Sequence, residues 1–450
     1  MKKLSYKNSK VEWLGKIPSH WGVIKVKNGF RVQPSNVNKK SKDNEDEVTL
    51  CNYVDVYYND YIDNNIEFMV ATASDNEIKK FQLQVGDVLI TKDSEDPLDI
   101  AVPSLVNEIQ DKLVCGYHLS MLRTTNKKID GSFLFWSLKD SAIASQLFRE
   151  ATGVTRWAIA SRHVKNSSIA FPPKLEQEAI AEHLSKASKK IDQIIVSKQN
   201  QLEAAALMKD SRITHLVTHG LNKKVKLVDI KSDWLTKLPS HWAFRKMKRA
   251  LSSSEYGISE STSDDGSYAV LKMGNIVDGE VAFTKIEYVE TVDKTMLLDT
   301  NDLLFNRTNS LDKVGKVAIF RNTKEENYTF ASYLVRLRTN DLILPEYLNY
   351  LLNTPEFLRL ARSLAIPSVQ QANLNPNRYG RIYIPIPPVD EQRSIIESCN
   401  VLSQKVNNLK GIIEKQIQTL QTYRKSLIHE CVTGKKQIYD KSVTSKAAYA

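Results

Sequence analysis

The chain has 450 residues, of which 42% are hydrophobic and 26% are charged, so it is too long for one ordinary domain core. It contains no run of 18 apolar residues and no apolar stretch after its basic N-terminus, which argues against a membrane span and a signal peptide. Four cysteines without a C-x-x-C pair predict reduced, buried thiols in a cytoplasm. The net charge of +11 favours a polyanionic partner such as nucleic acid.

Two short segments of the sequence occur twice. Residues 13–21 read Trp-Leu-Gly-Lys-Ile-Pro-Ser-His-Trp, and residues 234–242 agree with them at seven of nine positions. Residues 171–177, Phe-Pro-Pro-Lys-Leu-Glu-Gln, match residues 386–392, Ile-Pro-Pro-Val-Asp-Glu-Gln. Each copy of the second segment opens a long helical stretch. The alternating order of the two segments predicts an internal duplication and a pseudo-twofold molecule.

The pattern along the chain predicts an α+β protein of two mixed α/β domains separated by two long helices. Strand signals at 47–54 and 86–91 are typical of the mixed regions. Residues 174–218 contain no proline or glycine and predict one long helix, and residues 389–432 predict a second. The predicted segments are a first mixed domain at 1–170, a helical region at 171–220, a second mixed domain at 221–386, a second helical region at 387–436 and a polar tail at 437–450.

The two mixed domains also match internally, at a constant offset of 215 residues. Residues 86–90 parallel 301–305, and residues 117–124 parallel 332–339. The copies are therefore expected to share a fold, while their diverged loops bind different ligands. Arg123 and Arg338 occur in both copies, which favours structural or phosphate-binding roles. The repeated tryptophans are expected to anchor each domain core.

The helical regions show a spacing of alternating threes and fours, which is typical of coiled coils. A shift at the same place in both regions indicates a stutter. The periodic positions are Ile180, Leu184, Ala187, Ile191, Ile194, Lys198, Leu202, Ala205, Met208 and Arg212, and Ile395, Cys399, Leu402, Val406, Leu409, Ile413, Ile417, Leu420, Tyr423 and Leu427. Because a 44-residue helix is about 66 Å long, longer than a 160-residue domain is wide, we expect an antiparallel pair. The alternative is that each helix packs only on its own domain.

Sequence signatures of catalysis are absent. No two of the 16 glycines are two residues apart, which excludes the G-x-G loop of dinucleotide or S-adenosylmethionine sites, and there is no phosphate-binding P-loop. The histidines include no H-E-x-x-H motif, and His215 with His219 lacks a third ligand for a metal. Glu77 and Lys79 form an E-x-K triplet that is too short to indicate a nuclease. We therefore predict a protein without catalytic residues, metal or cofactor.

Taken together, the ordered motifs resemble the specificity (S) subunit of type I restriction–modification systems over nearly the whole chain. The resemblance depends on three repeated elements. They are Trp13…Pro18…Trp21 with Trp234…Pro239…Trp242, Pro172-Pro173…Glu176-Gln177 with Pro387-Pro388…Glu391-Gln392, and the helix ends at 217–220 and 432–434. An extra His219 in the first helix end is the one departure.

This resemblance implies a non-catalytic subunit that reads double-stranded DNA in a prokaryotic cytoplasm. Each mixed domain would read one half of an interrupted target. The helices would space the halves and dock two modification subunits, which bind S-adenosylmethionine and methylate adenine. ATP- and Mg-dependent restriction subunits would join through them. Glu176, Gln177, Glu391 and Gln392 are the candidates for docking these subunits, although they are also typical first-turn residues favoured by the helix dipole.

Candidate base-reading residues lie in polar loops, because Arg contacts guanine and Asn or Gln contacts adenine. In the first domain they are Lys92, Asp93, Ser94, Thr155, Arg156, Trp157 and Arg162; in the second they are Asn306, Arg307, Thr308, Asn309, Ser310, Gln370, Gln371 and Asn373. Two other functions stay open at this point. One is a duplicated coiled-coil scaffold without DNA specificity, and the other is an enzyme, such as a nuclease, whose site has no sequence signature.

Overall fold

The computed structural model of the protein describes residues 5–109, 111–322, 326–369 and 371–438. The chain divides into two compact units: unit 1 is Met1–Lys198 with Lys415–Ala450, and unit 2 is Gln199–Glu414. Each unit contains one globular head, residues 5–171 in unit 1 (head 1) and residues 221–386 in unit 2 (head 2). Each also contains one half of each of the two long helices.

Head 1 consists of short strands and short helices. Its elements are β1 (Tyr6–Asn8), β2 (Lys16–Pro18), β3 (Gly22–Lys25), β4 (Phe30–Pro34), β5 (Asp46–Cys51), α1 (Tyr53–Tyr58), β6 (Tyr61–Ile62), β7 (Met69–Ala73), α2 (Asp75–Phe81), β8 (Val88–Thr91), β9 (Asp93–Ser94), β10 (Pro103–Val106), β11 (Leu113–Cys115), β12 (Leu119–Thr124), α3 (Gly131–Lys139), α4 (Ser141–Phe148), β13 (Thr152–Gly153), β14 (Trp157–Ala158), α5 (Ser161–Asn166) and β15 (Ser168–Phe171).

The first long helix, α6 (Lys174–His219), leads into head 2, and the second, α10 (Val389–Val432), follows head 2. Both helices agree with the predicted helical stretches. Between them lie β16 (Leu227–Asp229), β17 (Lys237–Pro239), β18 (Ala243–Lys246), β19 (Leu251–Tyr256), β20 (Tyr268–Leu271), β21 (Ile276–Val277), β22 (Glu280–Val281), β23 (Glu287–Val289), β24 (Leu303–Asn306), β25 (Thr308–Asn309), β26 (Val317–Ile319), β27 (Tyr328–Phe330), β28 (Leu334–Thr339), α7 (Pro345–Leu352), α8 (Pro355–Ser363), β29 (Ile366–Ser368), β30 (Gln371–Asn373), α9 (Pro376–Tyr379) and β31 (Tyr383–Ile386).

The two heads have matching sheets. Head 1 has a five-stranded sheet in the order β4-β12-β8-β10-β6 and a three-stranded sheet in the order β11-β5-β7. Head 2 has a six-stranded sheet in the order β19-β28-β24-β26-β22-β21 and a three-stranded sheet in the order β23-β20-β27. These sheets confirm the two mixed α/β domains that the sequence predicts. One strand signal extended too far, since the predicted strand at 47–54 ends at Cys51 and α1 begins at Tyr53.

The central strand of each large sheet is buried on both faces. Val88 and Ile90 of β8 point into one hydrophobic cluster of head 1, and Leu89 points into another. In head 2, the central strand β24 repeats this arrangement, with residues 303 and 305 in one cluster and residue 304 in the other. Side chains alternate between the two faces of a strand. A strand with a hydrophobic cluster on each face, such as β8 or β24, therefore needs a continuous run of apolar residues.

An arginine–aspartate pair is repeated beside each central strand. Arg123 Nε donates to Asp87 Oδ1 at 2.8 Å, and Arg338 Nε donates to Asp302 Oδ1 at 2.7 Å. A second bond to the other carboxylate oxygen makes both pairs bidentate, at 2.6 Å and 3.0 Å. Both aspartates are nearly inaccessible, with side chains 2% and 4% exposed. The two arginines therefore have the structural role that was one of the two expectations for them.

The long helices are buried at only part of their predicted periodic positions. The buried ones are Ile180, Leu184, Ile191, Ile395, Cys399, Ile413 and Leu427. Ile194, Met208, Leu409 and Tyr423 are instead 40–71% exposed, contrary to the expected continuous apolar seam. A helical stripe is buried only where other elements cover it, and sequence spacing alone does not say where that is. No helix in the described ranges is long and apolar enough to span a bilayer.

Each head core is completed by turns from both long helices. In unit 1, Ile180 and Leu184 of α6 share a cluster with Leu427 and Cys431 of α10. In unit 2, the last turns of α6, at residues 213–217, share a cluster with the first turns of α10. Ile180, Leu184 and Leu427 are periodic positions, whereas Cys431 and residues 213–217 lie beyond the periodic pattern found in the sequence.

The four cysteines are free and buried, as the sequence predicts. Burial raises the pKa of Cys399 to about 12 and that of Cys431 to about 11, because the thiolate would lose its hydration. These thiols remain protonated at neutral pH and act as small apolar side chains in the core.

Replacing Leu427 by alanine is expected to lower the free energy of unfolding of unit 1 by about 2–5 kcal/mol, because this side chain is 3% exposed and its loss leaves a cavity. Urea unfolding followed by circular dichroism measures the change. The matched control is Leu207→Ala, since Leu207 lies on the other long helix and is 65% exposed. An equal loss in both variants would show that the end of α10 does not belong to the core of unit 1.

Candidate functional site

A small three-stranded sheet brings the two predicted reading segments of head 1 together. Its order is β13-β14-β9, and β14 pairs with β9 so that Trp157 lies opposite Ser94 and Ala158 opposite Asp93. Strands β13 and β14 form a hairpin whose tip is residues 154–156. Segments 92–94 and 155–157, separated by about 60 residues of sequence, are therefore neighbours.

Asp93 holds the hairpin in place. The residue is 8% exposed and accepts a hydrogen bond of 2.8 Å from Arg156 Nε, with a second bond from the same guanidinium. His118 Nδ1 lies 2.9 Å from its other carboxylate oxygen. A buried carboxylate needs such partners, so Asp93 supports Arg156 and has no free edge to offer a ligand.

Lys92 and Ser94 also face the head interior. Lys92 Nζ donates to Ser35 O at 3.0 Å and lies 4.2 Å from the ring centre of Tyr117. Partial burial lowers the pKa of Lys92 from its ordinary value. Ser94 is 6% exposed, and its hydroxyl accepts from Asp96 N. Asp93 and Ser94 are buried and Lys92 is half-buried, and the contacts of all three side chains are to groups of their own head. These side chains stabilise the loop.

Head 2 has the equivalent sheet, in the order β25-β30-β29. Thr308 lies opposite Asn373, and β29 with β30 forms a hairpin around position 369. The predicted segments 306–310 and 370–373 are thus also neighbours. Gln370 lies outside the described residues.

Arg307 is the centre of the polar contacts in this second sheet. Its guanidinium donates to Asn373 Oδ1 at 3.1 Å and lies 4.9 Å from the ring centre of Tyr256. Asn373 Nδ2 in turn donates to Thr308 Oγ1 at 3.1 Å. Asn306 is 1% exposed and Thr308 8%, so both are buried supports, contrary to the base contacts expected of them.

Some candidate residues remain open to solvent. Thr155, Arg156, Arg162 and Gln371 are exposed, and Trp157, Arg307, Asn309, Ser310 and Asn373 are half-buried. The structure adds two residues that the sequence reasoning missed. Val154 and Val369 stand at the two hairpin tips and are 92% and 89% exposed. The 215-residue offset between them was a usable signal, but a valine was not expected in a polar reading loop.

The two repeated sequence segments meet in each unit. Glu176, in the first turn of α6, accepts a hydrogen bond of 2.7 Å from Trp21 Nε1 and lies 2.9 Å from His20 Nε2. In unit 2, Glu391 makes the same two contacts with Trp242 and His241, each at 2.9 Å. This bond joins the start of each head to the start of the helix that follows it. The expectation that tryptophans anchor the cores is confirmed for Trp21 and Trp242, which are 3% and 6% exposed.

The neighbouring glutamines fix the entry of each helix. Gln177 Nε2 donates to Pro172 O at 2.8 Å, and its carbonyl accepts from Asp130 N at 3.0 Å. Gln392 Nε2 donates to Pro387 O at 2.9 Å. The two glutamines are 1% and 0% exposed. Each helix start is therefore bonded to the backbone before it and to its own head.

These contacts change the interpretation of the four predicted docking residues. Glu176, Gln177 and Gln392 are buried, and Glu391 has a side chain only 22% exposed. All four bond to groups of their own unit, so their repetition is explained by internal structure.

The C-terminal ends of the long helices pack against the same tryptophan–glutamate contacts. Gly220 after α6 has φ +76° and Gly434 after α10 has φ +74°, both in the left-handed region that favours glycine. A Cβ on Gly220 would lie 3.0 Å from the ring of Trp242, and one on Gly434 would lie 3.0 Å from the ring of Trp21. The third repeated motif therefore packs on the first in each unit.

His215 and His219 stack with ring centres 5.0 Å apart beside a groove of about 540 Å³. Burial lowers the pKa of both histidines, and the nearby Arg212 and Lys223 add to the effect for His215. Within the described parts of the chain, no three His, Cys, Asp or Glu side chains are grouped as metal ligands.

Comparison with known proteins identifies one family. The family model for the type I restriction modification DNA specificity domain matches residues 18–204 and, a second time, residues 245–419. The two matches coincide with the two copies of the internal repeat and together cover more than half of the chain.

Individual relatives agree with this match. The chain is 30% identical over 211 residues to a putative type I restriction enzyme MjaX specificity subunit of Methanocaldococcus jannaschii, covering 46% of this chain and 48% of that protein. It is 21% identical over 274 residues to the type I restriction enzyme EcoKI specificity subunit of Escherichia coli K12, covering 59% and 57%. The matched regions thus span about half the length of these curated relatives.

Solved structures show the same fold. A chain from a study of complex assembly and conformational transition of the type I R-M system has a TM-score of 0.70 at 15% identity, covering 92% of this chain and 98% of that one. The HsdS subunit from Thermoanaerobacter tengcongensis has a TM-score of 0.54 at 16% identity, covering 93% and 98%. At these identities the likeness concerns the fold alone.

Replacing Glu176 by alanine is expected to destabilise unit 1 by about 1–3 kcal/mol, because the indole N–H of buried Trp21 loses its acceptor. Urea unfolding monitored by tryptophan fluorescence measures this. Glu176→Gln keeps an acceptor oxygen and should recover part of the loss. The control Glu178→Ala removes an exposed glutamate that forms an ion pair with Lys174 on the surface of α6 and should cost less than about 0.5 kcal/mol. Equal losses in E176A and E178A would contradict the anchoring role.

Proposed function

Because the chain belongs to the family of type I restriction modification DNA specificity domains, we propose that it is the DNA-reading subunit of such a complex. Each head reads one half of an interrupted double-stranded target. The observation that carries this proposal is the pair of hairpin sheets. In each head the same small sheet brings together two polar segments that are distant in sequence, and the exposed side chains differ between the heads. A common frame with different surfaces suits two different half-sites.

The reading surface consists of the residues that remain accessible around each hairpin. In head 1 these are Thr155, Arg156 and Arg162, and in head 2 Gln371 and the half-buried Arg307. Arginine pairs with guanine and glutamine with adenine in the major groove, so these residue types suit direct reading of bases. The buried Asp93 and Thr308 hold the loops without touching DNA. The net charge of +11 favours approach to the phosphate backbone.

We further propose that α6 and α10 form an antiparallel coiled coil that sets the spacing of the half-sites in a pseudo-twofold molecule. The two repeated segments occur in the same order in both halves, at offsets of 221 and 215 residues, which supports this arrangement. So does the packing inside each unit, where first turns of one long helix and last turns of the other complete the same core. Contacts such as the ion pair of Arg424 with Asp192 join the helix halves within unit 1.

The partners in this proposal are two modification methyltransferase subunits and, through them, the restriction subunits. S-adenosylmethionine, ATP and Mg belong to those partners, and this chain contributes recognition without catalysis in the cytoplasm of a prokaryotic cell. Exposed apolar residues of the long helices are better candidates for docking than the buried Glu-Gln motifs. They include Leu207, Met208, Ile412 and Tyr423, which are 52–71% exposed.

Methylation mapping of cellular DNA with and without this gene tests the proposed function most directly. We expect an interrupted, adenine-methylated sequence that disappears on deletion. Replacing residues 1–170 with the corresponding head of a relative should change one half of that sequence and leave the other intact. A change in both halves would contradict separate reading by the two heads.

Binding of the assembled complex to the mapped duplex should weaken steeply as salt rises, because cationic side chains release counterions from phosphate. Electrophoretic mobility shifts at 50–200 mM salt, about the range in which such contacts lose 10³–10⁵ in affinity, measure this. Absence of binding to the mapped duplex would favour the protein-interaction scaffold instead.

Gln371→Ala is expected to weaken binding to the second half-site by about 1–3 kcal/mol and to relax its sequence preference, leaving the first half-site unchanged. Competition binding against single-base variants of each half-site measures both effects. Gln84→Ala is the control, since Gln84 is an exposed glutamine that uses only its backbone in the described contacts. Identical behaviour of Q371A and Q84A would remove Gln371 from the reading surface.

A further inference from the structure

Both hairpin tips end in an exposed valine. Val154 and Val369 are 92% and 89% exposed, the highest values among the large hydrophobic side chains of the described residues. Each lies at the turn of a two-stranded hairpin whose second strand pairs with the polar segment of its own head. An apolar, β-branched side chain gains nothing from this position in the isolated protein, because it has no core to join.

The two valines also occupy equivalent positions in two loops whose sequences otherwise differ. Residues 151–158 read Ala-Thr-Gly-Val-Thr-Arg-Trp-Ala, and residues 366–373, at the 215-residue offset, read Ile-Pro-Ser-Val-Gln-Gln-Ala-Asn. Valine is the sole identity among the eight positions. Tight turns favour glycine, asparagine or aspartate, so the turn itself does not explain it. A side chain that is the same in both heads suits a feature common to both half-sites.

The inference rests on the proposed function and takes each half-site to contain one methylated adenine, one for each of the two modification subunits, and hence an A·T pair. The thymine of that pair carries a C5-methyl group, the one apolar group that a base edge presents in the major groove. We propose that Val154 and Val369 each contact this thymine methyl in the half-site read by their own head. The polar neighbours, which differ between the heads, read the bases that distinguish the half-sites.

The geometry of the tips suits this contact. The valine extends from the end of a narrow hairpin, an element of the width that the major groove admits. Asp93 fixes the first hairpin through Arg156, and the Arg307–Asn373 bond fixes the second. The tips are thus presented by braced loops, and the two methyl groups of valine can cover the thymine methyl without further rearrangement. Removing one methyl group from such a contact lowers affinity roughly three- to ten-fold.

The test uses the complex of the full chain with its modification subunits and a duplex of the mapped target. Deoxyuridine, which lacks the methyl group, replaces each thymine in turn, and fluorescence anisotropy gives the affinity. With wild-type protein we expect one position in each half-site to lose affinity roughly three- to ten-fold. Val154→Ala should abolish that sensitivity in the first half-site only, and Val369→Ala in the second only.

Val85→Ala and Val277→Ala are the matched controls, since both valines are exposed, at 63% and 45%, and neither belongs to the two small hairpin sheets. They should retain sensitivity to deoxyuridine in both half-sites. Two results would overturn the valine contact alone. One is that V154A and V369A keep their sensitivity to deoxyuridine. The other is that the wild-type complex prefers the mapped target but loses no affinity at any deoxyuridine position. A wild-type complex that does not prefer the mapped target over a scrambled duplex would overturn the proposed function itself.

Discussion

The hydrogen bond from a tryptophan indole to a first-turn glutamate is the contact on which each unit depends. It joins Trp21 to Glu176 in unit 1 and Trp242 to Glu391 in unit 2, across about 150 residues of chain. The strand pairs β3–β15 in head 1 and β18–β31 in head 2 lie next to this bond in sequence. The glycine after a long helix packs on the same indole. A buried carboxylate left without these donors would be costly, so the head and helix start are held in one arrangement.

This shared base separates the structural support of each head from the hairpin that we propose reads DNA. The Arg–Asp pairs and the motif junction are repeated in both heads, and the large sheets correspond although one has five strands and the other six. The hairpin sheets share a strand order but carry different side chains. Loops on a conserved scaffold can change their ligand without disturbing the core. Asp93 and Arg307 show how the change is accommodated, since each head braces its hairpin with a different polar contact.

Much of the architecture was predictable because the sequence is duplicated, so that one copy can be compared with the other. The long helices and the two similar heads follow from repeats and spacing. The structural role of Arg123 and Arg338 was one of two that the repeats left open. The exposure of individual side chains did not follow. Lys92 and Asn306 look like base-reading residues in sequence, but interior partners or burial hold them inward. Glu176 and Gln177 were predicted to dock another subunit. In sequence, a motif that is repeated because it bonds inside the protein cannot be told from one that is repeated because it binds a partner. The valines at the hairpin tips were not predicted, because only polar loop residues were considered as base-reading candidates.

The use of both long helices in each head core has a consequence for the order of folding during synthesis. Head 1 leaves the ribosome first, yet its cluster includes Leu427, Ile428, Cys431 and Val432, which are made more than 250 residues later. Until those turns arrive, the apolar faces of Ile180 and Leu184 lack part of their cover. Unit 2 draws on residues 199–414 alone and can close its core earlier. Until the end of α10 is made, head 1 therefore exposes apolar surface of the kind that makes folding intermediates prone to aggregation.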